Sequence, residues 1–317
     1  MSNTAIEFKG VAKSFGDVKV IPELDLKIQK GELFVLVGTS GSGKTTSLKM
    51  INRLEEPTTG DILIDERKAK DYSLQQLRWS MGYVLQQIAL FPTMTVAQNI
   101  AVIPEMKKTD KKAIQRLVDQ LLDKVGLDPV KYRNRMPSEL SGGEQQRIGI
   151  LRAIAAKPEI VLMDEPFGAL DPLSRTTLQK LILELHEELH NTIIFVTHDM
   201  QEAIKLGDRI GIMSQGRLLQ VGKPEEIAQN PVNEFVRDFF GSSMKKSIYQ
   251  LSLAEVLQVQ GSQIEQSLKT AVVEQDTSLQ KAFEVLSQNE QIKVIDKSKK
   301  VLGYLTSRQI FLYLSRM

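Results

Sequence analysis

The sequence predicts an α/β protein with a mainly parallel sheet, and two patterns carry that prediction. Short apolar runs at residues 33–37, 160–163 and 193–197 are typical of strands buried on both faces of a parallel sheet. Longer segments whose apolar residues recur every three or four positions alternate with these runs, as helices do around such a sheet. The length of 317 residues corresponds to about two domains.

The individual elements follow from apolar periodicity and from turn residues. In chain order, strands are predicted at residues 5–8, 24–28, 33–37, 61–64, 82–85, 160–163, 193–197, 210–213 and 217–221. Helices are predicted at residues 45–54, 96–126, 139–156 and 173–190. A change in composition near Gly241 predicts a boundary between a first domain, residues 1–241, and a second, residues 244–317.

Composition excludes several classes of protein. Lys and Arg number 41 and Asp and Glu 39, so the net charge of +2 gives no field that would attract nucleic acid. The absence of cysteine excludes a disulfide framework and cysteine-based metal sites. His186 and His190 lie four apart in a predicted helix with no third ligand candidate nearby, so we expect them to pack or to face solvent.

No segment has the pattern of a membrane span or of a secretory signal. The apolar runs are far shorter than the roughly 20 residues that cross a bilayer. The first ten residues lack a basic stretch followed by an apolar one. We therefore expect a cytoplasmic protein.

A phosphate-binding loop stands at residues 38–45. Its sequence, GTSGSGKT, fits the pattern G-x-x-x-x-G-K-[ST] between a predicted strand and a predicted helix. Glycines let several backbone N–H groups face one anion, and the helix N-terminus adds partial positive charge. We expect Lys44 to bridge the β- and γ-phosphates and the Thr45 hydroxyl to bind Mg²⁺. The motif indicates a nucleoside triphosphate without distinguishing kinase, GTPase, motor or transporter.

Polar residues follow two other predicted strands at the edge of the sheet where ligands bind. Asp164 and Glu165 end the strand at 160–163, and His198 follows the strand at 193–197. Asp164 is placed beside the metal, and Glu165 to orient or deprotonate a water near the γ-phosphate. Because Glu165 suits attack by water, it favours hydrolysis over phosphoryl transfer to a second substrate.

The run Leu140–Arg147, LSGGEQQR, resembles the signature motif of ABC-transporter ATPases. Other motifs of that family match in order: Phe15 resembles the aromatic residue that stacks on adenine, and Gln86 the glutamine that reaches Mg²⁺ and the attacking water. Residues 168–171, ending in Asp171, resemble the D-loop, and His198 resembles the switch histidine. The resemblance implies a P-loop fold with a RecA-like core sheet, an antiparallel β subdomain and a helical subdomain at about residues 88–156.

The resemblance also assigns the site residues. It implies ATP bound by Phe15, Gly38, Thr39, Ser40, Gly41, Ser42, Gly43, Lys44, Thr45, Thr46 and Asp164. It implies catalysis by Glu165, His198, Gln86 and Lys44, with Mg²⁺ held, partly through water, by Thr45, Gln86 and Asp164. Ser141 can cap the following helix. In this family the surface formed by Ser141, Gly142, Gly143 and Glu144 binds the γ-phosphate held by a second subunit, so two ATP molecules lie inside a homodimer.

Partners and cargo follow from the same resemblance. The segment Ile88–Asn99 resembles the loop that receives a permease subunit in importers, and transport would also need an external substrate-binding protein. Residues 51–54, 55–60 and 231–240 resemble the ATPases of importers for glycine betaine, carnitine, choline or proline, which act at the cytoplasmic face of bacterial membranes. An importer of another amino-acid-like cargo is the first alternative. A soluble ABC-type ATPase and a P-loop kinase are less favoured.

The C-terminal residues resemble one CBS module, a small α+β unit. Residues 271–314 are predicted in the order strand-helix-strand-strand-helix, including elements at 271–273, 278–287, 292–296 and 301–308. Residues 247–265 are a candidate for a degenerate second copy. The resemblance implies an adenine nucleotide or cyclic dinucleotide as ligand, but Gln309 stands near the place of an acidic residue that often binds ribose. Dimerisation and a response to salt are the other readings.

Overall fold

The computed structural model describes residues 3–87, 89–168, 170–241, 253–260, 269–307 and 309–310. The chain divides into two compact units, Met1–Arg237 and Asp238–Met317. The division falls four residues before the boundary that composition predicts at Gly241. Ser242 and Ser243, where the composition changes, lie outside the described residues.

Most of the predicted elements are present, with bounds that differ by a few residues. The strands are β1 (Thr4–Phe15), β2 (Val18–Gln29), β3 (Leu33–Gly38), β4 (Thr59–Ile64), β5 (Arg67–Lys68), β6 (Met81–Val84), β7 (Ile160–Asp164), β8 (Thr192–Thr197), β9 (Arg209–Ser214), β10 (Arg217–Gly222), β11 (Thr270–Glu274), β12 (Gln291–Ile295) and β13 (Val301–Thr306). The helices are α1 (Lys44–Ile51), α2 (Leu74–Trp79), α3 (Val96–Met106), α4 (Lys111–Lys124), α5 (Pro129–Tyr132), α6 (Gly142–Ile154), α7 (Pro172–Leu189), α8 (Met200–Leu206), α9 (Pro224–Gln229), α10 (Leu253–Gln260) and α11 (Leu279–Leu286). Residues 234–241 are helical as well.

A largely parallel sheet carries the polar strand ends of the first unit. Within the described residues its order is β10-β9-β3-β8-β7-β6, and only β10 runs antiparallel to its neighbour. Strands β3, β7 and β8 are buried along their whole length, as their apolar runs predict. Because these three strands are neighbours, their carboxyl ends bring Gly38, Asp164 and Thr197 to the same edge of the sheet.

A second sheet of the first unit is antiparallel, with the order β2-β1-β4-β5 among the described strands. Strand β1 pairs with β2 along most of its length and also with β4, and its register with both partners is irregular. One hydrophobic cluster contains residues of both sheets, such as Ile6, Ile64, Phe34 and Leu162. This shared core fixes the antiparallel sheet beside the phosphate-binding loop.

The predicted helix at 96–126 is wrong in one respect, because two helices occupy this range. Helix α3 ends at Met106, and Lys108 adopts a left-handed backbone with φ of 59°. The Asp110 side chain then accepts a hydrogen bond from Ala113 N and caps α4. The helix predicted at 45–54 also stops early, at Ile51, because Arg53 is left-handed.

His186 and His190 do not share a helix face, contrary to the prediction. Helix α7 ends at Leu189, and His190 follows it in a left-handed conformation, exposed to solvent. His186 packs within α7, with Nε2 3.8 Å from Asp208 Oδ2. Both residues lie away from the loop at 38–45, in keeping with the packing or surface role expected of them.

Substitution of Gly60 should cause a large loss of stability. The residue has a left-handed φ of 80°, and the position that a Cβ would occupy is closely packed. A Cβ there would lie 2.3 Å from the Gly10 carbonyl oxygen. We expect Gly60→Ala to lower the free energy of unfolding by about 2 to 4 kcal/mol, from backbone strain plus overpacking. Urea denaturation followed through the single tryptophan, Trp79, would measure it in the first unit.

Gly10→Ala is the matched control. Gly10 has a φ of 53°, but a Cβ there would meet nothing within 4 Å. We expect a loss of only about 1 kcal/mol, since strain acts alone. Equal losses for the two variants would contradict the role given to the contact between Gly60 and β1.

The second unit has its own sheet and its own core. Strand β11 pairs in parallel with β12, which pairs antiparallel with β13, and α11 lies between β11 and β12 in sequence. This order matches the first four elements of the strand-helix-strand-strand-helix order predicted for 271–314. Residues 309–310 of the last predicted helix are helical, and residues 311–314 lie outside the described residues. Of the candidate second copy at 247–265, residues 253–260 form α10, and the rest lies outside the described residues, as does Arg308.

Candidate active site

The phosphate-binding loop joins β3 to α1 and surrounds Lys44. The buried Lys44 ammonium donates hydrogen bonds to the carbonyl oxygens of Gly38 and Thr39, each at 2.9 Å. Gly38 cannot be replaced without movement, because a Cβ there would lie 2.0 Å from the Met213 carbonyl oxygen. A depression of about 200 Å³ lies over the loop, lined by Val20, residues 40–46 and Glu165.

The chemistry of the loop fits a phosphate chain. Burial lowers the pKa of the Lys44 ammonium, and the charges of Glu165 and Asp164 oppose that shift. The hydroxyl oxygen of Ser42 is buried with no hydrogen-bond partner among the described residues. A cation, a free hydroxyl and the N-terminus of α1 thus converge where phosphate oxygens would bind.

Thr45 and Asp164 form the pair expected to hold a divalent cation. The Thr45 hydroxyl donates a hydrogen bond of 2.8 Å to Asp164 Oδ1. Burial raises the pKa of the Asp164 carboxyl, and the hydrogen bond from Thr45 partly offsets that rise. The described residues contain no group of three or more His, Cys, Asp or Glu side chains that could bind a metal by themselves. This donor set suits Mg²⁺, which binds through one or two protein oxygens together with substrate phosphates and water.

The three residues expected to act on water come together around one carboxylate oxygen. Glu165 Oε2 accepts a hydrogen bond from Gln86 Nε2 at 3.3 Å and lies 3.0 Å from His198 Nδ1. Glu165 itself has a left-handed φ of 43°, held by a hydrogen bond from its N–H to the Val196 carbonyl. Strain of this kind in a non-glycine residue is typical of functional sites.

Behind His198 lies a polar cluster that the sequence reasoning missed. The buried Glu202 accepts a hydrogen bond of 2.6 Å from the Thr197 hydroxyl, and burial raises the pKa of its carboxyl. Arg175 Nε lies 3.9 Å from Glu202 Oε1, and its Nη1 lies 3.9 Å from Asp199 Oδ2. The spacing of Asp199 and Glu202, which is that of a capping box, is the signal that could have identified the cluster.

The ring of Phe15 is available for stacking. Its exposed fraction is 46%, so it is not a core residue, the alternative that its sequence context leaves open. The Lys13 ammonium lies 4.5 Å from the ring centroid and also forms an ion pair of 2.9 Å with Glu55. Lys13 therefore contacts the Phe15 ring, and the ring also remains partly exposed to solvent.

The signature segment forms a helix cap, as expected of Ser141. Ser141 precedes α6, and its side-chain oxygen accepts a hydrogen bond from Glu144 N. The Glu144 carboxylate accepts hydrogen bonds from Ser141 N at 2.7 Å, from the Ser141 hydroxyl at 2.8 Å and from the Tyr132 hydroxyl at 2.7 Å. Beside it, a Cβ on Gly142 would meet nothing within 4 Å, so the N-terminus of α6 is open at Gly142.

The D-loop residue Asp171 begins helix α7. Its Oδ1 accepts a hydrogen bond of 3.0 Å from Ser174 N. Ala169 of the same motif lies outside the described residues. The predicted catalytic and phosphate-binding residues end or follow β3, β6, β7 and β8, whose carboxyl ends lie at one edge of the parallel sheet.

A model of the ABC transporter family matches residues 21–168. The chain is 42% identical over 301 residues to "Osmoprotectant import ATP-binding protein OsmV" of Salmonella typhimurium, covering 94% of this chain and 77% of that protein. It is 43% identical over 310 residues to "Glycine betaine/carnitine/choline transport ATP-binding protein OpuCA" of Bacillus subtilis, covering 96% and 79%. The chain belongs to the ABC transporter ATPase family.

A solved structure supports the fold of this ATP-binding cassette. The "Dimeric structure of a post-hydrolysis state of the ATP-binding cassette MJ0796 bound to ADP and Pi" is 32% identical, with a TM-score of 0.62 over 69% of this chain and 98% of that one. The P-loop fold and the binding of ATP predicted from the motifs are thereby confirmed. A P-loop kinase, one of the alternatives, is wrong.

Proposed function

We propose that this cassette hydrolyses ATP to drive the uptake of an osmoprotectant, either a quaternary amine such as glycine betaine, carnitine or choline or the amino acid proline, through separate permease subunits. The observation that carries the proposal is the convergence of Gln86 and His198 on Glu165 beside the phosphate-binding loop. The relatives named above match nearly the whole chain and are import or transport subunits, which supports this cargo over another amino-acid-like one and over a non-transport role.

In this proposal the residues of the loop hold ATP as substrate. Lys44 exchanges the carbonyls of Gly38 and Thr39 for oxygens of the β- and γ-phosphates. Phe15 stacks on the adenine, and residues 38–46 supply backbone N–H groups. Mg²⁺, held by Thr45, Asp164 and, partly through water, Gln86, would neutralise charge on the phosphates.

Glu165 is the proposed general base. Its carboxylate takes the proton of a water that Gln86 and His198 help to position, and His198 also contacts the γ-phosphate. The charges of the nearby Lys44 and Asp164 are buried, so they act through a lower dielectric than water. The left-handed backbone at Glu165 fixes the direction of its side chain.

The working unit in this proposal is a homodimer of cassettes. The start of α6 in one subunit, at Ser141, Gly142, Gly143 and Glu144, would lie opposite the γ-phosphate in the other, with the Glu144 carboxylate turned aside. Asp171 would lie at the same interface. The open space at Gly142 and the partial positive charge of the α6 N-terminus suit a phosphate arriving from outside the chain. Hydrolysis would remove this shared ligand and let the dimer open.

The loop after Gln86 is the proposed contact for a permease. Phe91 is exposed there, while the buried Asn99 side chain holds the loop by accepting a hydrogen bond from Phe91 N and donating to the carbonyls of Phe91, Met94 and Thr95. Ile88 lies outside the described residues. In the part of the chain that the structure describes, no helix has the length and hydrophobicity to cross a bilayer. We place the cassette at the cytoplasmic face of a bacterial membrane, with a substrate-binding protein outside.

The second domain, residues 244–317, is proposed as a CBS-like module for dimerisation or regulation. Gln309 Oε1 accepts hydrogen bonds from Thr306 N at 2.8 Å and from the Thr306 hydroxyl at 3.1 Å. Because this side chain is used inside the module, it supports a structural role over ribose binding. An adenine or cyclic dinucleotide as ligand remains the alternative role.

The ATPase rate is measured on the complex reconstituted in membranes with its permeases and binding protein. This experiment tests both the proposed cargo and the proposed role of the second domain. We expect a quaternary amine to raise the ATPase rate severalfold. A chain ending at Gly241, which keeps residues 234–241 of their helix, serves as comparison. A response to salt or cyclic dinucleotide only in the full chain would support regulation by the tail. Identical behaviour would support a structural role. If no quaternary amine stimulates turnover, the cargo proposal fails.

A further inference from the structure

Tyr132, at the end of α5, links the start of α3 to the start of α6, two parts of the helical subdomain that no sequence motif connects. Its hydroxyl donates a hydrogen bond of 2.7 Å to Glu144 Oε1. The other oxygen of the same carboxylate, Oε2, accepts from both the backbone N–H and the hydroxyl of Ser141. Glu144 is therefore held at both oxygens, one by Tyr132 and one by the signature serine.

The backbone that follows Tyr132 is itself held in place by hydrogen bonds. Residues 133–135 follow α5 directly, and the carbonyls of Arg133 and Arg135 accept hydrogen bonds of 2.9 Å from Ala97 N and Val96 N. These are the first two N–H groups of α3, which would otherwise lack partners. The Arg135 guanidinium also lies 4.3 Å from the centroid of the Tyr132 ring. The tyrosine is thus anchored to the start of α3.

The hydrogen bonds that hold the Glu144 carboxylate matter because this group is negatively charged. Glu144 lies in the first turn of α6, where a carboxylate is favoured by the helix dipole, and the hydrogen bond from Tyr132 lowers the pKa of its carboxyl. A γ-phosphate approaching the same helix end would be repelled by a carboxylate that turned toward it. Holding Glu144 at Oε1 keeps its charge to the side and keeps the Ser141 cap in place.

We infer that Tyr132 is a positioning residue that fixes Glu144, and through it Ser141, for the γ-phosphate bound by a second subunit. The inference rests on the proposed homodimer. It further implies that movement at the start of α3, which follows the proposed permease loop, reaches Ser141 through Tyr132. The residue acts through Glu144 and does not itself contact ATP.

The test uses the full chain carrying Glu165→Gln, in which ATP stays intact. Release of bound mant-ATP and, separately, of bound mant-ADP is followed after a chase with the unlabelled nucleotide, and the affinities of both are measured alongside. ADP lacks the γ-phosphate, so it reports the phosphate loop alone. We expect Tyr132→Phe to speed ATP release about tenfold, the effect of losing one hydrogen bond to a charged group. ADP affinity should stay unchanged.

Tyr72→Phe is the matched control, because the Tyr72 hydroxyl donates a hydrogen bond of 2.9 Å to the Ile64 carbonyl, in the antiparallel sheet. It should leave ATP release unaltered. In a chain that also carries Glu144→Ala, Tyr132→Phe should have no further effect, since the two residues act together.

The outcomes separate the inference from the proposed function. If ATP leaves the Glu165→Gln chain as fast as ADP does, no second subunit retains it and the proposed dimer fails. If that chain retains ATP and Tyr132→Phe leaves the release rate unaltered, the dimer stands and the role of Tyr132 is overturned. Equal weakening of ATP and ADP would also overturn it, because the tyrosine would then only support the fold.

Discussion

Replacing Glu165 by Gln should lower the turnover of ATP by about 10²- to 10³-fold, the contribution expected of a general base. The amide keeps the size of the side chain and can still accept a hydrogen bond, so Gln86 and His198 keep a partner. It cannot take a proton from water at neutral pH. ATP should therefore bind with ordinary affinity and hold the cassettes together as an ATP-dependent dimer. Steady-state phosphate release and equilibrium binding of mant-ATP measure the two effects.

Glu159→Gln is the control for that loss. Glu159 precedes β7, the strand that Glu165 follows, and it is an exposed carboxylate at the opposite edge of the sheet. The same chemical change there should leave turnover within a factor of about two, since surface substitutions have small effects. Unchanged turnover in Glu165→Gln would remove Glu165 from its proposed role.

Replacing Lys44 by Ala should act at an earlier step, the binding of ATP itself. The change removes the buried cation and leaves the carbonyls of Gly38 and Thr39 without their donor. Hydrogen bonds to charged groups are worth about 1.5–3 kcal/mol, so the loss of one or two predicts affinity weaker by roughly 10- to 10⁴-fold. Isothermal titration with ATP and Mg²⁺ measures it.

Lys68→Ala makes the same change of charge at an exposed site. Lys68 pairs with Asp61 on the antiparallel sheet, with the ammonium 2.7 Å from Asp61 Oδ2. It should bind ATP as the parent does, because surface ion pairs contribute little. If Lys44→Ala also bound ATP normally, the phosphate-binding role of the loop would be contradicted.

The elements around the nucleotide could be predicted from sequence because each motif is local. The loop at 38–45 lies between a buried strand and a helix, and the apolar run at 160–163 places Asp164 at the sheet edge. Parallel strands end at one edge, so the meeting of Asp164 with Thr45 follows from topology. What the resemblance added was the role of Gln86, which follows the strand predicted at 82–85 but belongs to no motif that names its chemistry.

The features of the fold and the site that could not be predicted depend on contacts between residues distant in sequence or on single backbone angles. The break between α3 and α4 depends on one left-handed residue, Lys108, inside an otherwise helical pattern. The hydrogen bond from Tyr132 to Glu144 spans 12 residues and crosses from α5 to α6. The cluster around Glu202 needs Arg175 from another helix. The spacing of apolar residues in the sequence carries no information about such residue pairs.

The irregular strand β1 has a consequence for how the first unit responds to its substrate. Because one hydrophobic cluster includes Ile6 of β1 and Leu48 of α1, the antiparallel sheet and the phosphate loop share a cooperative folding unit. A ligand that binds only the folded state adds RT ln(1 + [L]/Kd) to its stability, about 2.7 kcal/mol at a hundredfold excess over Kd. That gain extends to β1, so cellular ATP would protect the cassette from proteolysis at strands that never contact a phosphate.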